Sequence, residues 1–327
     1  MSKATRPSLI ERAAGRLDLR ALTESSIPLA PAASGPVSNQ ATAESREAVS
    51  VTSIGDGRGA IIEASALLDR AGKRKLDFKT YDDTPLDGER VDLIAEKSLP
   101  QPVRFNRPRL HELALVDWAA GRTRAAEEFR IIKRQLLEQA ADPARSGSHR
   151  NLIMITSARP REGRTFTALN LAISISMDRN WEVLLIDACD NENAVASVVP
   201  KASPPGWLDL LEDPPLGVSG AILQTDIPRL SLLLPGHRQD GNAEPLASGN
   251  MHRLLKELSR CNPNRVVLID APPCLDTSDP ATLARVVGQT VLVVEAHTTQ
   301  QQGVEAALEL LRPCENTYLV LNKSRTG

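Results

Sequence analysis

Beyond residue 111 the chain falls into a regular pattern of apolar and mixed stretches. Short continuous apolar runs occur at 152–156, 183–186, 230–234, 266–269, 290–294 and 318–321. Runs of this length without polar alternation are expected of strands buried on both faces. Between them lie segments with helical spacing, at 164–178, 251–261, 280–287 and 303–311. A further amphipathic helix precedes them at 125–140, with Phe129, Ile132, Leu136 and Leu137 on one side. Apolar strands separated by helices predict an α/β domain with a doubly wound, mostly parallel sheet. Its ligand is expected at the carboxyl ends of the strands.

The N-terminal third has a different texture. Residues 8–22 show helical spacing, with Leu9, Ile10, Ala13, Ala14 and Leu17 near one face, which predicts a docking helix within 1–22. From 23 to 109 the chain is rich in Ala, Pro, Ser, Gly and charge, with a short apolar piece at 60–68. Such composition buries too little apolar surface to fold alone, so a flexible, largely disordered linker is expected there. The folded domain is assigned to 110–327.

Composition narrows the function. With 327 residues and a net charge of -2, no overall basic field points to nucleic acid. Cys189, Cys261, Cys274 and Cys314 form no C-x-x-C pair and read as reduced, mostly buried thiols of a cytoplasmic protein. The apolar runs are far shorter than the roughly 20 residues a membrane helix needs, and the N-terminus lacks the apolar core of a secretory signal. Membrane association is therefore expected only through a partner.

The chemistry is expected at three strand ends. After the run at 152–156, a polar turn ending in Gly163, Arg164 and Thr165 opens a helix, the layout of a phosphate-binding P-loop. Backbone N–H groups at such a helix start face an anion, and the Thr165 hydroxyl can hold Mg²⁺. The run at 183–186 delivers Asp187, with Asp190 close behind, and the run at 266–269 delivers Asp270 ahead of Pro272 and Pro273. Carboxylates there can hold Mg²⁺ directly or through water, or accept a hydroxyl proton; Asp190 could equally cap the next helix. Asn322 follows the last strand, where its amide could read a base edge.

Taken together, these pieces resemble the bacterial tyrosine kinases (BY-kinases) of polysaccharide export, in particular the autokinases of exosortase-type exopolysaccharide systems. The matching segments are 127–134, the loop with Pro160, Glu162 and Gly163, and 184–188, 206–211, 235–236, 246–248, 269–273 and 321–323; residues 8–12 resemble the N-terminal helix. The resemblance implies an ATP-dependent protein-tyrosine kinase on a P-loop NTPase-type fold, with ATP and Mg²⁺ as cofactors. It implies that Thr165 and Asp187 serve Mg²⁺, with Asp270 supporting it through water. Pro160, Arg161, Glu162, Gly163, Arg164, Thr165, Phe166 and Asn322 would surround the nucleotide, with Asp187, Asp190 and Arg164 acting in transfer. Glu127, Arg130 and Lys133 match a subunit-contact motif, implying a homo-oligomer. The implied partner is an integral-membrane polysaccharide co-polymerase at the inner membrane.

The chain departs from that pattern in specific places. Arg164 stands where the P-loop lysine is expected, and Arg161 where a glycine is expected. Arginine keeps the charge but carries a larger planar head, and a non-glycine residue can strain a loop that must approach phosphate closely. The second acid, Asp190, falls one residue late. The only tyrosines are Tyr81 and Tyr318, so no tyrosine cluster ends the chain. These changes predict weakened or lost phosphotransfer. They keep two alternatives open: a pseudokinase scaffold and a partition-type ATPase. No G-x-G-x-x-G follows a strand, which argues against a dinucleotide oxidoreductase.

Overall fold

A computed structural model describes residues 61–63, 102–112, 123–141, 149–189, 195–199, 205–212, 217–237 and 245–324. The expected docking helix within 1–22 and most of the expected linker lie outside these residues, as does Asp190.

The six expected strands all form. They are β2 (Leu152–Ser157), β3 (Glu182–Asp187), β5 (Leu230–Leu233), β6 (Arg265–Asp270), β7 (Gln289–Glu295) and β8 (Thr317–Asn322). Two short strands, β1 (Ile61–Glu63) and β4 (Leu223–Gln224), complete the sheet in the order β1-β8-β7-β2-β6-β3-β5-β4. The central six run parallel, while β1 and β4 add antiparallel edges.

Side-chain alternation assigns each strand to two cores. Ile153, Ile155, Val183, Leu185, Val266 and Leu268 face one core. Leu152, Met154, Leu184, Ile186, Val267 and Ile269 face the other. The first core is covered by α2 (Arg124–Ala141), through Phe129, Ile132 and Leu136, and by α3 (Arg164–Ser176), through Leu169 and Ile173. The second is covered by α4 (Trp207–Glu212), α6 (Gly249–Cys261) and α8 (Gln301–Leu311). Helices therefore lie on both faces, the doubly wound arrangement expected from the apolar runs.

The folded part also draws on residues ahead of 110. Helix α1 (Arg107–Glu112) begins where Asn106 Oδ1 accepts from Arg109 N at 3.2 Å, and Pro108 occupies its first turn, where a missing N–H does no harm. Phe105 and Leu110 are buried in the first core. Val103 N donates to Gln224 O at 2.8 Å and Asp226 N to Val103 O at 3.0 Å, docking this stretch beside β4. The short helix α5 (Val218–Ala221) leads into that edge. The helix expected at 280–287 is shorter: α7 spans Asp279–Leu283, and the chain then turns so that Val286 and Val287 bury themselves ahead of Gly288 and β7.

Candidate functional site

The strand order places β2, β6 and β3 side by side, so their carboxyl ends form one edge. Asp187 and Asp270 are partners across β3 and β6, and both are fully buried. The P-loop leaves β2 at the same edge. After β6, the chain runs alongside this loop: Cys274 N donates to Ser157 O at 2.8 Å, and Leu275 N to Ala158 O at 3.2 Å.

Local contacts hold the loop in shape. Gly163, at φ 94°, precedes α3, and a Cβ there would fall 2.0 Å from Asn322 Nδ2. Only glycine meets both demands. Asn322 donates from Nδ2 to Glu162 O at 2.9 Å and accepts from Lys323 N at 2.9 Å. Its amide thus ties the last strand to the loop. Lys323 Nζ donates to Arg161 O at 2.7 Å and pairs with Glu295 at 3.0 Å. Arg161 itself has φ 68°, a left-handed conformation that costs a non-glycine residue about 1–2 kcal/mol. Pro160 and Arg161 are exposed at the tip of the loop.

Glu162 points inward. Its carboxylate accepts from Arg159 N at 2.9 Å and from the Thr299 hydroxyl. Burial raises its pKa, opposed by the Arg159 N–H and the Thr299 hydroxyl. Phe166 also turns away from the loop mouth. Its ring packs edge-on against Phe129 on α2, with centroids 6.0 Å apart.

Three side chains converge on Asp270. Thr165 donates its hydroxyl to Oδ2 at 2.6 Å. Arg164 donates from one terminal nitrogen to Ala271 O at 2.7 Å, and its Nε stands 3.8 Å from Oδ1. Cys189 donates its thiol to the Asp270 carbonyl at 3.1 Å. Burial pushes the Asp270 carboxyl up to about 6, against the pull of Arg164 and Thr165. Burial also pushes the Cys189 thiol up; the Asp270 and Asp187 carboxylates add to this and Arg164 opposes it. Asp187 accepts from Cys189 N at 3.2 Å, and its carbonyl accepts from Trp207 Nε1 at 2.8 Å.

These residues fit a divalent cation. Asp270 Oδ1 is buried with no hydrogen-bond partner among the described residues, and Asp187 offers a second carboxylate on the neighbouring strand. A cation held by Thr165, Asp187 and Asp270 would neutralise charge on bound phosphates. The loop N–H groups and the start of α3 would cradle those phosphates. The Arg164 head now lies against Asp270 and Ala271 instead of extending along the loop.

The trio expected at a subunit contact, Glu127, Arg130 and Lys133, lies elsewhere, on α2. Glu127 pairs with Arg130 one turn on, while Lys133 pairs within the domain with Asp178 at 3.3 Å. Ile131, on the same helix, is 49% exposed. Two features had little signal in the sequence. Cys189 read as an ordinary buried thiol, and only the β3–β6 pairing brings it to both acids. The Glu162–Thr299 contact joins residues far apart in the chain. The paired contacts of Asp209 with Gly206 N at 2.6 Å and His237 N at 3.1 Å support the neighbouring turn.

No family model matches the chain. It is similar to the tyrosine-protein kinase YwqD of Bacillus subtilis, with 27% identity over 217 residues, covering 66% of this chain and 88% of that protein. It is also similar to the tyrosine-protein kinase CpsD of Streptococcus agalactiae, with 29% identity over 183 residues, covering 54% of this chain and 77% of that protein. Among solved structures, the kinase domain of the Escherichia coli tyrosine kinase ETK superposes with a TM-score of 0.53 at 25% identity, covering 63% of this chain and 78% of that one. The relatives named here are bacterial tyrosine kinases, and it is to this family that the chain is similar in sequence and in fold.

Proposed function

We propose that the protein binds ATP with Mg²⁺ at the carboxyl edge of β2, β6 and β3. We propose further that it serves exopolysaccharide assembly as an exosortase-type BY-kinase relative whose phosphotransfer is weak or lost. The observation that carries this is the placement of Arg164. Its guanidinium is held by Ala271 O and stands beside Asp270, where the cation would act. ATP must draw this head away before a cation can meet Asp270, which lowers affinity. The left-handed backbone at Arg161 adds a second obstacle to close phosphate approach.

The protein acts at the inner face of the membrane, bound to an integral polysaccharide co-polymerase. Among the described residues no helix is long and apolar enough to cross a membrane, consistent with contact through a partner. The exposed side of α2, with Glu127, Arg130 and Ile131, supplies the contact between copies. The pseudokinase reading is favoured over vigorous catalysis by the same Arg164 contacts.

A phosphotyrosine assay on the purified chain with ATP and Mg²⁺, run beside ATP binding, tests the proposal. Measurable binding with little or no tyrosine phosphorylation is expected. Brisk phosphorylation that falls in Arg164→Lys would overturn it, because Arg164 would then be an adapted phosphate ligand.

A further inference from the structure

Both edges of the sheet are met by chain that precedes α1. Val103 docks beside β4, and β1 lies along β8 in antiparallel register. Ile61 stands opposite Val320, Ile62 opposite Leu319 and Glu63 opposite Tyr318. The outer strands of this eight-stranded sheet stand roughly 34 Å apart at the usual strand spacing. An extended chain the length of residues 64–102 reaches several times that distance. β1 can therefore leave β8 while Val103 stays in place. Among the described residues, three paired positions hold it there.

The strand under β1 is poorly suited to an open edge. Thr317–Asn322 contains no charged residue, no proline and no glycine, and most of its side chains are buried. Asn316 O and Asn322 O accept from Thr290 N and Ala296 N on the β7 side. Alternation then turns the N–H and C=O of Thr317, Leu319 and Leu321 outwards. Sheet edges are usually guarded by charge, proline or shortness, and a long uncharged edge is a template for another strand. β8 carries none of these guards. β1 supplies two, being three residues long and ending in Glu63.

The bared edge is self-complementary. Two β8 strands paired antiparallel about Leu319 set Thr317 opposite Leu321 and Glu315 opposite Lys323, each twice about the twofold axis. Glu315 and Lys323 are exposed, although Lys323 also pairs with Glu295. Opposite charges across the strands favour this register over a slipped one. We propose that β1 is a releasable guard of the β8 edge. With β1 away, a second copy of the chain pairs its own β8 there, centred on Leu319, and the sheet continues across the dimer. The contact depends on neither α2 nor the nucleotide site.

The test uses the full chain with Glu127, Arg130 and Ile131 changed to alanine, so that α2 contributes no contact between copies. This parent is compared with the same chain carrying Ile62→Pro. Proline removes the N–H opposite Leu319 and disfavours the strand. Light scattering over a concentration series is read beside amide hydrogen exchange by NMR. Ile62→Pro should dimerise about tenfold more tightly than the parent, because β1 no longer competes at high effective concentration. In dilute solution its Leu319 amide should exchange about tenfold faster than in the parent, and should regain protection as the dimer fills. Adding Glu315→Lys sets like charges opposite one another and should weaken that dimer about fivefold. An Ile62→Pro chain that stays monomeric, with Leu319 exposed at every concentration, would overturn self-pairing. A dimer undiminished by Glu315→Lys would overturn the register. The unaltered chain supplies a check that needs no variant: its Leu319 amide should exchange faster than that of Val320, which faces β7. Equal rates would mean that β1 leaves only when the whole domain unfolds, and would refute the releasable guard.

Discussion

Thr165 and Asp270 are joined by a 2.6 Å hydrogen bond across 105 residues of sequence. The contact fastens the start of α3 to the end of β6. It also places a hydroxyl and a buried carboxylate together at the edge where β2 releases the P-loop.

The buried Asp270 makes stability depend on pH. Its carboxyl ionises at about 6 in the fold against 3.8 ordinarily, burial being the main cause. Between those values the native state holds the proton that the unfolded chain has lost, so this group's contribution is full below about 4 and disappears as pH rises through 6. The unfolding free energy of the unaltered chain, from denaturant curves, should fall relative to that of Asp270→Asn over that window, by on the order of 1–3 kcal/mol. Parallel curves for the two proteins would contradict it.

Gly163→Ala should damage the loop more than the fold. The new methyl meets Asn322 Nδ2 at 2.0 Å, and φ 94° is strained for any side chain. ATP affinity should fall at least tenfold, with a stability loss of about 1–3 kcal/mol. Adding Asn322→Ala removes the clash but not the strain, so only partial recovery is expected by calorimetry and thermal melting.

Arg161→Gly should stabilise the chain modestly, by up to about 1 kcal/mol, because φ 68° becomes unstrained. The Lys323 contact goes to the Arg161 carbonyl and survives the change. Combined with Arg164→Lys, which supplies a compact ammonium, it should tighten ATP binding over the unaltered chain. A thermal melt and an ATP titration on the double variant check both parts.

Much of the architecture was legible because buried parallel strands announce themselves as continuous apolar runs. All six such runs are strands with the expected direction. The edges were not legible. Leu223–Gln224 is too short for a pattern, and Ile61–Glu63 sits in linker-like sequence and gains its place only by pairing with β8. Helix α1 carried a local signal, Asn106 followed by Pro108, that composition obscured. At the site, residue types at strand ends pointed to Thr165, Asp187 and Asp270. The direction of Arg164, the locking of Asn322 onto Glu162 and the inward thiol of Cys189 depend on contacts between distant segments. Periodicity holds no record of those.

Exposed charges on α2 should matter for association and not for folding. Glu127 and Arg130 pair on the surface, where such pairs contribute about 0–1 kcal/mol. Changing Glu127, Arg130 and Ile131 together to alanine should leave the melting temperature nearly unchanged while lowering the mass seen by light scattering at high concentration. An unchanged mass would remove α2 from the contact between copies.

The most direct test of the central claim is calorimetric titration of ATP into the full chain with and without Mg²⁺, in the unaltered protein and in Asp270→Ala. Weak, saturable binding that tightens with Mg²⁺ is predicted for the unaltered chain, with the Mg²⁺-dependent part lost in the variant. No ATP binding by the unaltered chain, or identical Mg²⁺-dependent binding by Asp270→Ala, would contradict the assignment of this strand edge as the nucleotide and cation site.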